Sequence, residues 1–151
     1  EGEYYLGYSY FFEGKLMEKD FEKAHFWLSK AVAKENKQAF FLLGLSYLNG
    51  EGVEKDINKS RNFYTIYVRN VLKNIDFHFG RKMLFKRGNV KIEFIVLENG
   101  HIVNTNLIES SKDNELDQKF IDTIRFLPNL HPIPKEYDQK FLKFIAPFQK
   151  I

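Results

Sequence analysis

Leu6-Gly7-Tyr8-Ser9-Tyr10 returns as Leu43-Gly44-Leu45-Ser46-Tyr47, and Glu18-Lys19-Asp20 returns as Glu54-Lys55-Asp56. The offset is 37 residues for the first pair and 36 for the second, so one residue is gained or lost in the turn between them. A self-similar period in the thirties is the signature of stacked helical hairpins, each of which buries its apolar face only against a neighbour. Such arrays build binding surfaces rather than reaction centres.

The repeat reads physically. Tyr4 to Phe12 and Ala39 to Leu48 are aromatic and aliphatic, with Gly7 and Gly44 at matching places. A glycine inside a helix costs about 1 kcal/mol against alanine. Two at one register predict close approach of a neighbouring helix. Gly14 breaks the first copy and Gly50-Glu51-Gly52 the second. Asp20 and Asp56 then stand where an N-cap is needed, because a short acidic side chain accepts from the free N–H groups of the next turn. Second helices are expected from about Phe21 to Lys34 and Ile57 to Val71. Ala24, Trp27, Leu28 and Ala31 recur there at helical spacing, with Phe63, Tyr64 and Tyr67 in the corresponding places.

The string Leu43-Gly44-x-x-Tyr47-x-x-Gly50-x-Gly52-Val53-x-x-Asp56, with Lys23-Ala24-x-x-Trp27 for the following helix, resembles the Sel-one-like repeat, a relative of the tetratricopeptide repeat. The first copy departs from the pattern at Leu16 and Met17, where a glycine and a valine belong. The second departs at Ser60 and Phe63, where an alanine and a tryptophan belong. The resemblance covers roughly residues 1–68. It implies stacked helical hairpins and a protein-binding or scaffolding role, with no activity of its own.

Composition narrows the classes. No apolar run approaches the length needed to span a bilayer, and no secretory leader is evident. A membrane connection is therefore expected only through an anchor outside this sequence. Cysteine is absent, which removes disulfides and thiol chemistry but leaves the compartment open. Residues 1–68 carry nine Lys/Arg against ten Asp/Glu, net −1, and residues 69–151 carry 14 against ten, net +4. The excess sits partly in Arg69, Lys73, Arg81, Lys82, Lys86 and Arg87. It is too small for nucleic-acid binding and reads as a solvated connector. Phe77, Phe79, Met83, Leu84 and Phe85 make that connector a docked one.

The period changes near residue 88. Val90, Ile92, Phe94 and Val96 fall on one side of a strand, while Lys91 and Glu93 fall on the other. Glu98-Asn99-Gly100 signals a tight turn of the two-residue kind, and Ile102 to Ile108 forms the return strand. Ser110 to Asn114 is polar and caps a helix whose stripe is Leu116, Phe120, Ile121, Ile124 and Leu127. Pro128 stops that helix. Phe141 to Phe148 is a last strand, apolar on both faces, with Pro147 near its end. The order is strand, strand, helix, strand, and the helix is expected to cover one face of a three-stranded antiparallel sheet.

Gly88-Asn89-Val90-x-Ile92-x-Phe94-x-Val96, Asn99-Gly100-x-Ile102, Ser110-Ser111 and the helix Leu116 to Phe126 resemble the TonB C-terminal domain family over roughly residues 86–151. The family's proline-rich spacer is absent, and helical repeats stand in its place. The resemblance implies a periplasmic domain that binds a segment of an outer-membrane or envelope protein by strand addition, in which main-chain hydrogen bonds supply affinity. The last strand is the natural edge, which nominates Gln139, Lys140, Phe141, Leu142, Lys143, Phe144, Ile145 and Ala146 as partner-binding residues. Lys140, Lys143 and Pro147 would blunt that edge against aggregation.

Nothing points to catalysis. His25, His78, His101 and His131 share no ligand spacing, so no metal is expected. Gly-x-Ser-x-Gly and Walker-type strings are missing, and no cofactor is implied. The expected protein is an α+β chain: a repeat region at 1–72 of two stacked α-helical hairpins, a connector at 73–87, and a ββαβ sheet domain at 88–151. It is expected to be no enzyme, to couple or tether envelope components by binding protein, and to form homodimers as one option. A scaffold that binds through its repeats alone is the alternative.

Overall fold

The computed structural model describes residues 1–12, 18–73 and 87–150. The chain divides into two units, Glu1–Asn74 and Ile75–Ile151. Gly14, Leu16, Met17, His78 and nearly all of the 73–87 connector lie outside the described residues.

The first unit holds α1 (Gly2–Phe11), α2 (Phe21–Ala33), α3 (Lys37–Asn49) and α4 (Ile57–Lys73). The sequence repeat is also a repeat of individual bonds. The Asp20 amide donates to the Tyr10 carbonyl at 3.0 Å, and the Asp56 amide to the Tyr47 carbonyl at 2.8 Å. Each aspartate then accepts from the backbone amide three residues on, Lys23 and Lys59, at 3.0 Å in both copies. Those lysines lie over the Tyr10 and Tyr47 rings, at 5.4 and 5.2 Å. Both capping aspartates therefore do what the sequence predicts.

The two helical glycines mark close approaches of different tightness. A Cβ on Gly7 would lie 2.7 Å from Leu28 Cγ, which locks α1 onto α2. One on Gly44 would lie 3.3 Å from both Phe63 Cβ and the Ser60 carbonyl oxygen. Ser60, buried where the family pattern has alanine, donates its hydroxyl to the Gly44 carbonyl at 2.7 Å and so satisfies itself. Gly52 joins one hairpin to the other: φ is +72°, and a Cβ there would come within 2.3 Å of the Phe21 carbonyl oxygen. Phe11, Ala24, Leu28, Ala31, Ala39, Leu42 and Leu43 form the core between the hairpins.

The second unit holds β1 (Gly88–Leu97), β2 (Ile102–Glu109), α5 (Asn114–Arg125), a short 3-10 turn at Lys135–Tyr137 and β3 (Phe141–Lys150). The sheet is antiparallel with order β2-β1-β3. The α+β class and the ββαβ order therefore stand as expected. Val90, Ile92, Phe94 and Val96 are fully buried on the face that α5 covers with Leu116, Phe120 and Ile124. Ring stacking of Phe94 on Phe144 and of Phe120 on Phe148, both at 5.5 Å, ties β3 into this core.

The hairpin departs from expectation. Leu97 donates to the His101 carbonyl at 2.8 Å, so the loop is the three-residue Glu98-Asn99-Gly100 rather than a two-residue turn. Gly100 closes it at φ +83°, the usual left-handed residue of that loop. It also makes room for the segment after α5: the Leu130 amide donates to the Gly100 carbonyl, and a Cβ on Gly100 would sit 2.1 Å from the Leu130 carbonyl oxygen.

A candidate docking edge

The two outer strands of the sheet are built differently. On β2 the pairing with β1 slips twice, between Lys91 and Ile92 and between Glu93 and Ile95, with Asn104 at φ +51° in the second irregularity. Such bulges twist an edge and spoil its ladder. On β3 the register with β1 runs without a break from Gly88↔Lys150 to Leu97↔Phe141. Among the described residues, no strand pairs with the far side of β3.

The hydrogen-bond phase of that open edge follows from one bond. The Glu98 amide donates to the Lys140 carbonyl at 2.9 Å, on the same register line as the ladder. Antiparallel pairs alternate between bonded and non-bonded. Leu142, Phe144, Ala146 and Phe148 therefore bond inward to β1, while Phe141, Lys143, Ile145, Pro147 and Gln149 turn their main-chain groups outward. The Leu97–His101 bond on the other flank of β1 has the opposite phase, as a central strand requires. Pro147 falls at an outward position, where its missing N–H costs the sheet nothing.

The side chains sort the same way. Phe144, Ala146 and Phe148 are buried, and Leu142 is half-buried. Phe141 and Ile145 are 55% and 57% exposed, with Lys143 exposed between them. Lys143 reaches Glu93 on β1 at 2.7 Å, and Lys91 reaches Glu109 on β2 at 2.7 Å. The outer face of the sheet thus combines neutralised charge with exposed apolar groups.

Of the residues nominated from sequence, Phe141 to Ala146 lie on β3, whereas Gln139 and Lys140 precede it, both exposed. The strand also runs four residues past Ala146, to Lys150. Sequence reasoning missed Gln149 and the phase of Pro147. The signal was available in the position of the proline itself. His25 is half-buried beside Tyr47, and burial holds its imidazole pKa down; the same holds for His131. Among the described residues no group of three acidic, histidine or cysteine side chains is placed to hold a metal ion. Among the same residues, no helix is long and apolar enough to cross a membrane.

A second surface lies on α1. Both α1 and α3 are apolar nearly all round. α3 packs against α2 and α4 and buries Leu42 to 5%, while Tyr5, at the equivalent place on α1, is 63% exposed. Tyr8 and Phe12 continue this exposed aromatic stripe, their rings 4.7 Å apart.

The family model for the Sel1 repeat matches residues 1–36 and 38–66, the two hairpins described above. The N-terminal region is thus made of Sel1 repeats, and repeats of this kind generally mediate protein–protein binding. No curated protein and no solved structure matches the chain.

Proposed function

We propose that the protein is a non-enzymatic binding protein of the cell envelope whose sheet unit takes an extended partner segment as an added strand on β3. The observation that carries this reading is the contrast between the two edges: β2 is bulged, and β3 is regular and, among the described residues, unpaired on its far side. Strand addition needs a row of outward N–H and C=O groups; Phe141, Lys143 and Ile145 supply an unbroken one, and Pro147 offers only a carbonyl before Gln149. The periplasmic setting, an outer-membrane or envelope partner, and a coupling or tethering role rest on the resemblance of residues 86–151 to TonB C-terminal domains. The Sel1 repeats would add a second contact on the same chain.

Amide exchange on the full chain with extended peptides from candidate envelope proteins tests this. Slowed exchange at Phe141, Lys143, Ile145 and Gln149, with the inward amides unchanged, is the expected result. If no peptide slows those amides, strand addition at β3 is wrong. Scaffolding through the repeats is the second reading, supported by the exposed Tyr5, Tyr8 and Phe12 stripe. Loss of partner binding on Tyr8→Ser, with binding retained in a β3-edge variant, would favour it.

A further inference from the structure

We infer that the exposed stripe of α1 seats a helix of a partner protein, one that presents a seam of small and aliphatic side chains like that of α2. The inference rests on the reading in which the repeats bind protein, and it names the form of segment they take.

The two hairpins supply the template. At the 37-residue offset, Gly2, Tyr5, Leu6 and Tyr8 of α1 stand where Ala39, Leu42, Leu43 and Leu45 stand on α3. Ala39, Leu42 and Leu43 are buried between the hairpins, and Leu45 packs against them. Helix α2 brings Ala24, Leu28 and Ala31 to the same cluster, and His25 sets its ring against Tyr47. Small side chains at such a contact let two helix axes come close. The matching face of α1 is exposed, at Tyr5 and Tyr8 above all.

The departures of α1 from α3 favour a partner that comes and goes. Leucines that stay buried within one chain give way to tyrosines, whose rings bury a large area and whose hydroxyls suit a face that is sometimes wet. Phe12 carries the stripe one turn further, where α3 has the exposed Asn49. Tyr5, Tyr8 and Phe12 are spaced by three and four residues, so they form one row along the helix. Ala24, Leu28 and Ala31 show the complementary spacing of four and three. A second copy of this chain has no such seam to offer, because its Ala24, Leu28 and Ala31 are already buried. The apolar stripe of α5 is likewise covered by its own sheet.

A second α2 placed ahead of the chain tests this. Fusing a copy of residues 18–37 directly to Glu1 reproduces the spacing at which α2 leads into α3. Amide exchange in α1 of the fused full chain should slow about tenfold or more against the unfused chain. Tyr5→Ser or Tyr8→Ser should remove the effect, and so should Ala24→Asp with Ala31→Asp made in the added copy alone. Unchanged α1 exchange on fusion overturns the inference, as does equal slowing by the Asp-bearing copy. A dimer of the unfused chain that Tyr8→Ser dissolves would make a second copy the occupant and overturn it too. Partner binding lost on Tyr8→Ser, with α1 unresponsive to the added helix, would keep the repeats as the binding region and overturn only the helical form of their partner.

Discussion

Single residues carry the joints of this molecule. Gly52 combines a left-handed backbone with a Cβ position already occupied by the Phe21 carbonyl oxygen. A non-glycine residue in that conformation costs about 1–3 kcal/mol before any clash is counted. Gly52→Ala should therefore lower stability by more than about 2 kcal/mol. Gly2→Ala, at a position with nothing within 4 Å, should change it by less than about 0.5 kcal/mol. Equal effects of the two in denaturant titrations would mean that the inter-hairpin contact is slack. Asp117 is the matching joint in the sheet unit. It is buried, and its carboxylate accepts from the Ser110 hydroxyl, from the Ser111 hydroxyl at 2.6 Å and from the Ser111 amide at 2.9 Å. Burial pushes its pKa up, but these bonds outweigh burial and hold it below the ordinary carboxylate value. A depressed folded-state pKa gives stability that is present above the unfolded value, near 4, and is lost as pH falls through the folded one. Asp117→Ala should cost about 1–3 kcal/mol at neutral pH. The gap to the unsubstituted protein should close on acidification, and a gap constant from pH 7 to 2 would show that the charge plays no part.

At the scale of elements, the strand edges decide what the sheet can bind, and they were only partly legible. The alternation from Val90 to Val96 and the apolar run from Phe141 to Phe148 fix two strands and their buried faces. Nothing in Ile102 to Glu109 announces two bulges, because Asn104 reads as one more polar residue until its φ is known. The loop length was misread for a similar reason: Asn99-Gly100 suits a two-residue and a three-residue loop alike, and the docking of Leu130 against Gly100 goes with the longer one. The phase of β3 now separates two proline substitutions that look equivalent in sequence. Phe144 bonds inward and packs on Phe94, so Phe144→Pro should disrupt the sheet itself. Ile145 bonds outward, so Ile145→Pro should leave thermal unfolding of the sheet within a few degrees while removing strand addition. If Ile145→Pro unfolds the sheet as readily as Phe144→Pro, the assigned phase is inverted.

For the molecule as a whole, two modules are joined whose sequences speak with different clarity. Sel1 repeats were readable because their glycines, tyrosines and capping aspartates stand at matching places in two copies, and the bonds of Asp20 to Tyr10 and Lys23 recur one period on at Asp56. The sheet unit depends on non-local pairing, so its order could be anticipated, but its edge chemistry needed the register. Each module also holds its own buried set, Leu28 with Phe11 and Leu43 in one and Phe94 with Phe120 and Ile124 in the other. α2 is shared between α1 and α3, so damage to it should spread through the whole repeat region rather than fraying one hairpin. Leu28 is the test, since it is fully buried and fills the space opposite Gly7. Leu28→Ala should cost about 2–5 kcal/mol, a large part of the stability of a small domain. Native-state amide exchange of the full chain should then show protection falling together across α1 to α4, while β1 and the inward amides of β3 keep theirs. Loss confined to α1 and α2 would mean that the hairpins are energetically independent, and the stacked pair would not be a single cooperative unit.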